Sequence, residues 1–295
     1  MKNRFKGILS LLLATVIWGS AFIAQSTGMD YIGPFTFQAI RCMLAVLFLI
    51  PTVLIYDFAK KDSKNTLKHW LDPKLWKTGL ICGGALFIAA SLQQVGMVYT
   101  DAGKAGFITA MYIVLVPVIG FLFKNKPPKS AIISVVIAIA GLYLLCCVDA
   151  TRINIGDLLV LGCAFAFAVQ ITLIDRFAAE LDGLRLNCIQ SLVVAILSVP
   201  FVFITETVDV GNIMQCWLPL CFAGILSMGV AYSLQIIGQK HLEPTPAALI
   251  MSLESVFAAL GGWLILKETM TGSELTGCIM VFVAVVISQI PIKKK

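Results

Sequence analysis

Apolar residues in this chain form long blocks that are separated by short polar or turn-forming breaks. Each block is roughly 18 to 25 residues long, enough for a helix to cross a hydrocarbon layer about 30 Å thick. The stretch 131–147 lacks the apolar and polar alternation of barrel strands, so the spans are predicted to be helices. The pattern predicts an all-α integral membrane protein with ten transmembrane helices. Their predicted bounds are 6–27, 34–57, 78–99, 104–123, 129–147, 155–177, 184–204, 216–239, 245–266 and 272–290.

Composition supports a lipid surround. Hydrophobic residues make up 59% of the 295 positions and charged residues 13%, whereas soluble domains carry roughly 45–50% and about 25%. The nine cysteines lie almost entirely inside apolar blocks, without the paired spacing of a zinc site or a disulfide framework. They are interpreted as small packing residues. We therefore expect a lipid bilayer as partner, and no metal or cofactor.

The distribution of basic residues predicts an orientation. With the N-terminus inside, 18 of the 22 Lys and Arg residues fall in inner segments, three fall in outer loops and Arg41 lies within a span. The positive-inside rule then places both termini in the cytoplasm. This location explains the net charge of +6 without a nucleic-acid partner. Leu67, Trp70, Leu71 and Trp76 lie among the lysines of segment 58–77, which suits either a helix on the inner leaflet or a solvated loop.

The chain contains an internal repeat. Residues 91–126 align with 233–268 at a constant offset of 142, with nine of 36 positions identical, and earlier helices align at an offset nearer 150. We interpret residues 1–148 and 149–295 as two five-helix repeats. Because five is odd, the second repeat enters the membrane from the opposite side, which gives the inverted topology typical of transporters.

Four segments resemble the EamA branch of the drug/metabolite transporter superfamily. They are LLLATVIWGSAF in helix one, Arg41 followed by Ala45 in helix two, KAGFITAMYIVLVPVIG in helix four and LEPTPAALIMSLESVFAALGGWLILKE in helix nine. The resemblance implies a ten-helix fold with a central substrate cavity between its halves. It also implies, frequently, export of metabolites such as amino acids, nucleobases or drugs.

Polar residues inside the spans are the candidates for that cavity, because a polar side chain that faces lipid is costly. In the first half they lie toward the outer side of the membrane, and in the second half toward the inner side or mid-depth. This stagger favours two half-cavities that open to opposite sides. The predicted substrate-binding residues are Trp18, Gln25, Gln38, Arg41, Gln93, Gln94, Tyr112, Gln170, Gln190, Tyr232 and Gln235.

Each of these residues also has a structural interpretation. The glutamines could hydrogen-bond neighbouring helices, and the aromatic residues could simply pack. Arg41 could extend its side chain to the interface or contact an anionic substrate group. Glu254 lies deep in helix nine and is either a buried structural carboxylate or a site for ion or proton coupling.

These observations predict a secondary transporter that moves a small polar metabolite or drug across the cytoplasmic membrane by alternating access, as an exporter. A channel or a receptor-like binding protein is the alternative. An enzyme is disfavoured, since the two histidines lie far apart and no catalytic motif occurs. No nucleotide-binding loop occurs either, so transport is expected to be driven by an ion gradient, by substrate exchange or by the substrate's own gradient. We expect a small-molecule substrate and a monomer or homodimer.

Overall fold

The structure, a computed structural model, describes residues 2–60, 66–100, 102–122, 128–146, 154–265 and 270–289, which are helical almost throughout. The elements in chain order are α1 (Lys2–Met29), α2 (Pro34–Ala59), α3 (Thr66–Trp70), α4 (Pro73–Gly96), α5 (Ala102–Ala110), α6 (Tyr112–Leu122), α7 (Lys129–Cys146), α8 (Ile155–Phe177), α9 (Gly183–Thr205), α10 (Val210–Gln215), α11 (Trp217–Cys221), a π-helical segment (Phe222–Ala231), α12 (Tyr232–Gln239), α13 (Pro244–Met251), α14 (Leu253–Ile265) and α15 (Gly272–Gln289).

Within these ranges, eight helical stretches are long and apolar enough to cross a membrane. Six are α1, α2, α4, α8, α9 and α15, and two are composite stretches, Lys104–Phe121 and Trp217–Gln239. Two shorter apolar helices cover Lys129–Leu145 and Pro244–Leu260. Large apolar side chains such as Leu47, Val136 and Phe282 are more than half exposed, as lipid contact requires. The chain is therefore an all-helical, multi-pass membrane protein, and the predicted count of ten spans remains a prediction.

Local sequence sets where several helices begin. Pro34, Pro73 and Pro244 occupy the first turns of α2, α4 and α13, where a missing backbone N–H costs little. Asn154 and Asp157 form a reciprocal capping box at the start of α8. The Asp72 cap and Pro73 start α4 five residues earlier than the apolar pattern predicts, because that pattern registers only the apolar part of a helix.

Two predicted helices are interrupted. The chain makes a turn at Met111, between α5 and α6, and another at Ser252, between α13 and α14. Tight hydrogen bonds to the third preceding residue replace helical ones there, from Met111 N to the Ile108 carbonyl and from Ser255 N to the Ser252 carbonyl. The Ser252 hydroxyl also donates to the Leu249 carbonyl at 2.8 Å, a contact that bends helices. The interruptions occur one position apart in the alignment of the two halves.

A side chain of α9 stabilises the π-helical segment. Asn187 donates from Nδ2 to the carbonyls of Met228 and Gly229 at 2.8 and 3.0 Å. A wide helical turn leaves carbonyls without their regular partners, and a buried carbonyl needs a donor. The side chain of Asn187 supplies that donor from the neighbouring helix.

The spans pack as two bundles and an outlying pair. Bundle A consists of α1, α2, α11 to α14 and the π-helical segment, whereas bundle B consists of α4, α5, α6, α8 and α9. Helices α7 and α15 pack against each other beside the bundles. Each bundle thus combines helices from both halves of the chain. The most extensive contact between the bundles is that of α2 with α9.

Two glycine crossings hold helices from different halves close together. A Cβ on Gly156 in α8 would lie 2.6 Å from the carbonyl oxygen of Gly96 in α4. A Cβ on Gly7 in α1 would lie 2.9 Å from the carbonyl oxygen of Gly238 in α12. Such backbone approach needs glycine on both helices. The aligned halves match Gly96 with Gly238 and Gly7 with Gly156, so one crossing occurs once in each bundle.

Candidate functional site

A cavity lies between the two bundles, with about 520 Å³ of space that is not filled by protein atoms. This figure includes space that is open to solvent. Eight of the twelve residues predicted from the sequence line it: Trp18, Gln25, Arg41, Gln93, Tyr112, Tyr232, Gln235 and Glu254. Six others complete the wall: Phe22, Thr109, Phe167, Ile171, Ser227 and Met251.

Arg41 is the cation in the cavity wall. Its side chain is 3% exposed, and Nη1 donates to the Gln25 amide oxygen at 2.5 Å. The guanidinium carbon lies 5.6 Å from the centre of the Phe37 ring, and Nε has no partner among the described residues. Among those residues no carboxylate pairs with Arg41. A buried guanidinium without a counter-ion is costly, so this wall is suited to an anionic group.

Glu254 is the carboxylate in the wall. It lies in the first turn of α14, directly after the interruption at Ser252, and is 6% exposed. Tyr112 at the start of α6 donates its hydroxyl to Glu254 Oε1 at 3.2 Å, across the boundary between the bundles. No basic side chain pairs with Glu254 in the described part of the chain. The carboxylate is thus suited to a cationic group or a proton.

Aromatic rings and amides form the rest of the polar wall. The Trp18 and Tyr232 rings pack edge to face with centroids 5.0 Å apart, and Trp18 Nε1 has no hydrogen-bond partner in the described ranges. Gln93 donates to Thr109 Oγ1 at 3.2 Å. The Gln235 amide oxygen is buried and likewise unpaired. Unpaired donors and acceptors around one cavity are the arrangement that a polar ligand satisfies.

Four of the predicted residues lie outside the cavity wall. Gln38 donates to Ser91 and Ser198 at 2.9 and 3.1 Å, which ties α2 to α4 and α9. Gln190 donates to Asn187 at 2.9 Å within α9. Gln94 donates to the Met29 sulfur, and Gln170 accepts from Gln235 at 3.2 Å. The contacts of Gln38, Gln94 and Gln170 join neighbouring helices, whereas that of Gln190 stays within α9.

The residues that the sequence reasoning missed are mostly apolar or small. Phe22, Phe167, Ile171 and Met251 look like packing residues in any apolar helix, so composition carries no signal for them. Helical spacing does indicate Phe22, because this residue shares a helix face with Trp18 and Gln25. Thr109 is a polar residue within a predicted span, so its position also indicates the cavity. No group of three His, Cys, Asp or Glu side chains in the described ranges could hold a metal ion.

Comparison with known proteins agrees with this architecture. A protein described as an uncharacterized transporter of Archaeoglobus fulgidus is 33% identical over 97% of this chain and 86% of its own length. The threonine/homoserine exporter RhtA of Salmonella typhimurium is 31% identical over 98% of this chain and 92% of its own. A solved crystal structure with 18% identity superposes with a TM-score of 0.78 over 96% of both chains. This similarity shows a shared fold and nothing further.

The sequence profile of the EamA-like transporter family matches the chain twice, at residues 5–147 and 154–289. The two matches cover nearly all of the described residues and begin 149 positions apart. The chain belongs to the EamA-like transporter family.

Proposed function

We propose that this protein is a secondary transporter that exports a small amino-acid-like zwitterion across the cytoplasmic membrane by alternating access. The main supporting observation is that a cation, Arg41, and a carboxylate, Glu254, line the same cavity, and that neither forms an ion pair with another described residue. Arg41 binds the carboxylate of the substrate. Glu254 binds its ammonium group or, when the substrate has left, a proton or other cation.

The architecture that we propose is ten transmembrane helices in two inverted repeats, residues 1–148 and 149–295, with both termini in the cytoplasm. The α5–α6 and α13–α14 pairs each count as one interrupted span, and α7 is the fifth span. Packing supports this proposal because contacts recur in exchanged form: α4 packs on α8 as α12 packs on α1, and α4 packs on α9 as the π-helical segment packs on α2. The double family match supports it independently.

Alternating access follows from this arrangement. Bundles A and B exchange positions under the proposed pseudo-two-fold relation, and the cavity lies between them with residues from both. When the bundles tilt about the cavity, one side closes as the other opens. The twelve predicted residues divide accordingly. Those in the wall bind substrate, and Gln38, Gln94, Gln170 and Gln190 position the helices that carry it.

The zwitterion proposal rests on charge complementarity and on one relative. A guanidinium suits a carboxylate group, whereas a carboxylate suits an ammonium group, and an α-amino acid carries both. A relative that is 31% identical is named as a threonine/homoserine exporter. Gln93, Thr109 and Gln235 offer additional polar contacts for a hydroxylated side chain.

The test is counterflow of radiolabelled L-threonine into proteoliposomes preloaded with unlabelled L-threonine or L-homoserine. We expect labelled substrate to accumulate, and we expect neither 1-aminopropan-2-ol, which lacks the carboxylate, nor N-acetyl-threonine to drive exchange. Arg41→Gln should abolish accumulation, whereas Lys74→Gln, which removes an exposed ion pair with Glu180, should not. A flux that neither saturates nor depends on internal substrate would instead favour the channel alternative.

A further inference from the structure

Two carboxylates tie bundle A to bundle B at opposite ends of the α2–α9 interface. Asp57 lies in the last turn of α2 and pairs with Arg185 in the first turn of α9. Glu206 caps the C-terminus of α9 and contacts the first turn of α2. The two helices are therefore antiparallel, and at each end of their interface one acidic group links the two bundles. Arg185 Nη1 also lies 3.6 Å from the Asp182 carboxylate at the start of its own helix.

Glu206 binds the N-terminus of α2. Its carboxylate accepts from Phe35 N at 2.7 Å, from Thr36 N at 2.8 Å and from the Thr36 hydroxyl at 2.6 Å. The first backbone N–H groups of a helix have no partner within it, and a carboxylate also suits the positive end of the helix dipole. The N-cap residue Gly33 has no side chain to satisfy them, so Glu206 does so from the other bundle.

Asp57 is bound through side chains. Its Oδ2 accepts from Arg185 Nη2 and, at 2.6 Å, from the Thr66 hydroxyl of α3. Both partners of the ion pair are nearly inaccessible, with side-chain exposures of 4% and 5%. The Arg185 guanidinium also lies 5.8 Å from the centre of the Trp70 ring. Separation of this pair therefore needs water to reach it.

The two contacts join equivalent positions of the two halves: each runs from the end of one helix to the start of the other. An offset of 149, the distance between the starts of the two family matches, relates Asp57 to Glu206 and Thr36 to Arg185. It also relates the N-cap residues Gly33 and Asp182. Asp182 caps its own helix by accepting from Arg185 N at 3.0 Å, so α9 needs no carboxylate from outside. The side chain of Arg185 reaches Asp57 instead.

We propose that these contacts are the two latches of the access cycle. The Asp57–Arg185 latch holds the bundles together on the side where α2 ends, and the Glu206 latch holds them together on the side where α2 begins. Each opens when the cavity opens to its own side, and the other stays closed. The proposal rests on the alternating-access function, because a protein that does not alternate has no use for opposed latches.

The test measures from which side the cavity is accessible. Ser227 lines the cavity, so Ser227→Cys in a background without the nine native cysteines reports access by a charged, membrane-impermeant thiol reagent. The reagent is applied to right-side-out and to inverted vesicles that contain the full-length protein. Reaction rates are compared for latch variants and for matched controls.

We expect Arg185→Gln and Asp57→Asn to raise the rate about tenfold from the side where α2 ends and to lower it from the other side. Glu206→Gln should do the opposite. Gly33→Ala should change the rates as Glu206→Gln does, although Glu206 keeps its charge. A methyl group at position 33 would overlap the Glu206 carboxylate and displace it. Lys74→Gln removes an ion pair within bundle B, and Asp209→Asn alters a cap within one turn, so both should leave the rates unchanged.

Folding defects are separable from latch opening. Arg185→Lys keeps the charge and should restore most of the original rates. A misfolded variant would aggregate in detergent on size-exclusion chromatography, so the rates are compared only for variants that elute as the unaltered protein does. Rates that stay unaltered in Arg185→Gln and Gly33→Ala, or that rise equally from both sides, would overturn the latches. Counterflow by the unaltered protein is measured in the same vesicles: its absence would count against the proposed function, whereas its presence with unchanged side preference would count against the latches alone.

Discussion

Tyr112 donates a hydrogen bond of 3.2 Å to Glu254, although the two residues occupy equivalent positions in the aligned halves of the chain. Each follows a helix interruption, at Met111 and at Ser252, and each belongs to a different bundle. The wall between the bundles thus contains one hydroxyl and one carboxylate at positions that a symmetric dimer would fill with identical groups. Among the described residues that line the cavity, Glu254 is the carboxylic acid, so its protonation state sets the negative charge of the wall.

Transport should depend on pH through Glu254. An ionised carboxylate attracts an ammonium group and a protonated one does not, so the apparent KM should rise as the pH falls. Glu254→Gln should flatten this profile, with an apparent KM at every pH close to the value that the unaltered protein reaches at low pH. Tyr112→Phe removes only the hydroxyl donor and should shift the profile without flattening it. The measurement is counterflow against pH, and an unchanged profile in Glu254→Gln would refute the coupling role.

Arg41 should discriminate the substrate carboxylate. Loss of a charge-assisted hydrogen bond costs roughly 1.5–3 kcal/mol, which corresponds to about a ten- to hundredfold increase in Kd for Arg41→Gln. Arg41→Lys keeps the charge but loses the planar donor arrangement. Its Kd should therefore lie between those of the unaltered protein and of Arg41→Gln. Titration calorimetry with L-threonine checks the order. A Kd for Arg41→Gln that matches the unaltered protein would leave Arg41 a purely structural role.

Adjacent glycines in α4 should respond differently to the same substitution. A Cβ on Gly83 would lie 2.7 Å from Cβ of Val193 in α9, whereas a Cβ on Gly84 would meet nothing within 4 Å. Gly83→Ala should therefore destabilise the fold by about 1–3 kcal/mol through overpacking. Gly84→Ala should be neutral or stabilising, by up to about 1 kcal/mol, because alanine favours helix. Thermal unfolding in one detergent compares the two, and equal losses would contradict the packing seen here.

The topology has its own test. Reporter domains fused after residue 65, after residue 180 and at the C-terminus should lie in the cytoplasm, as the basic residues of the inner segments predict. Reporters near residues 102, 152, 210 and 270 should lie outside. The Lys74→Gln variant provides a control with one inner charge removed. An external signal at residue 65 would reverse the proposed orientation.

Sequence reasoning located the apolar helices of the described ranges because hydrophobic length is a property of the chain itself. It does not find the interruption at Met111, since the hydrogen bonds that replace helical ones there join backbone groups, which every residue has. The same limit applies to Gln38 and Gln94. A glutamine in an apolar helix can line a cavity or bond to a neighbouring helix. Only the folded structure shows that Gln38 bonds to Ser91 and Gln94 to Met29.

The deep cavity residues were easier to anticipate than the outlying ones. Arg41 and Glu254 carry charges that a membrane interior tolerates only in a polar setting, so their placement in one wall agrees with elementary solvation. The contact between Glu206 and α2 was not foreseen, because one partner is backbone and has no residue signature. The match of Asp57 with Glu206 emerges only when the contacts of both halves are compared.

The contact of Glu206 with backbone N–H groups of α2 has an evolutionary consequence. The amides of Phe35 and Thr36 do not depend on their side chains, so mutation can weaken this contact chiefly at Glu206, at the small residue Gly33 or by loss of the Thr36 hydroxyl. The Asp57–Arg185 pair, by contrast, can be altered from either partner, in charge, in length or in hydrogen bonding. Natural variation therefore has more ways to adjust the preference for one orientation of the carrier through the Asp57 end of the interface than through the Glu206 end.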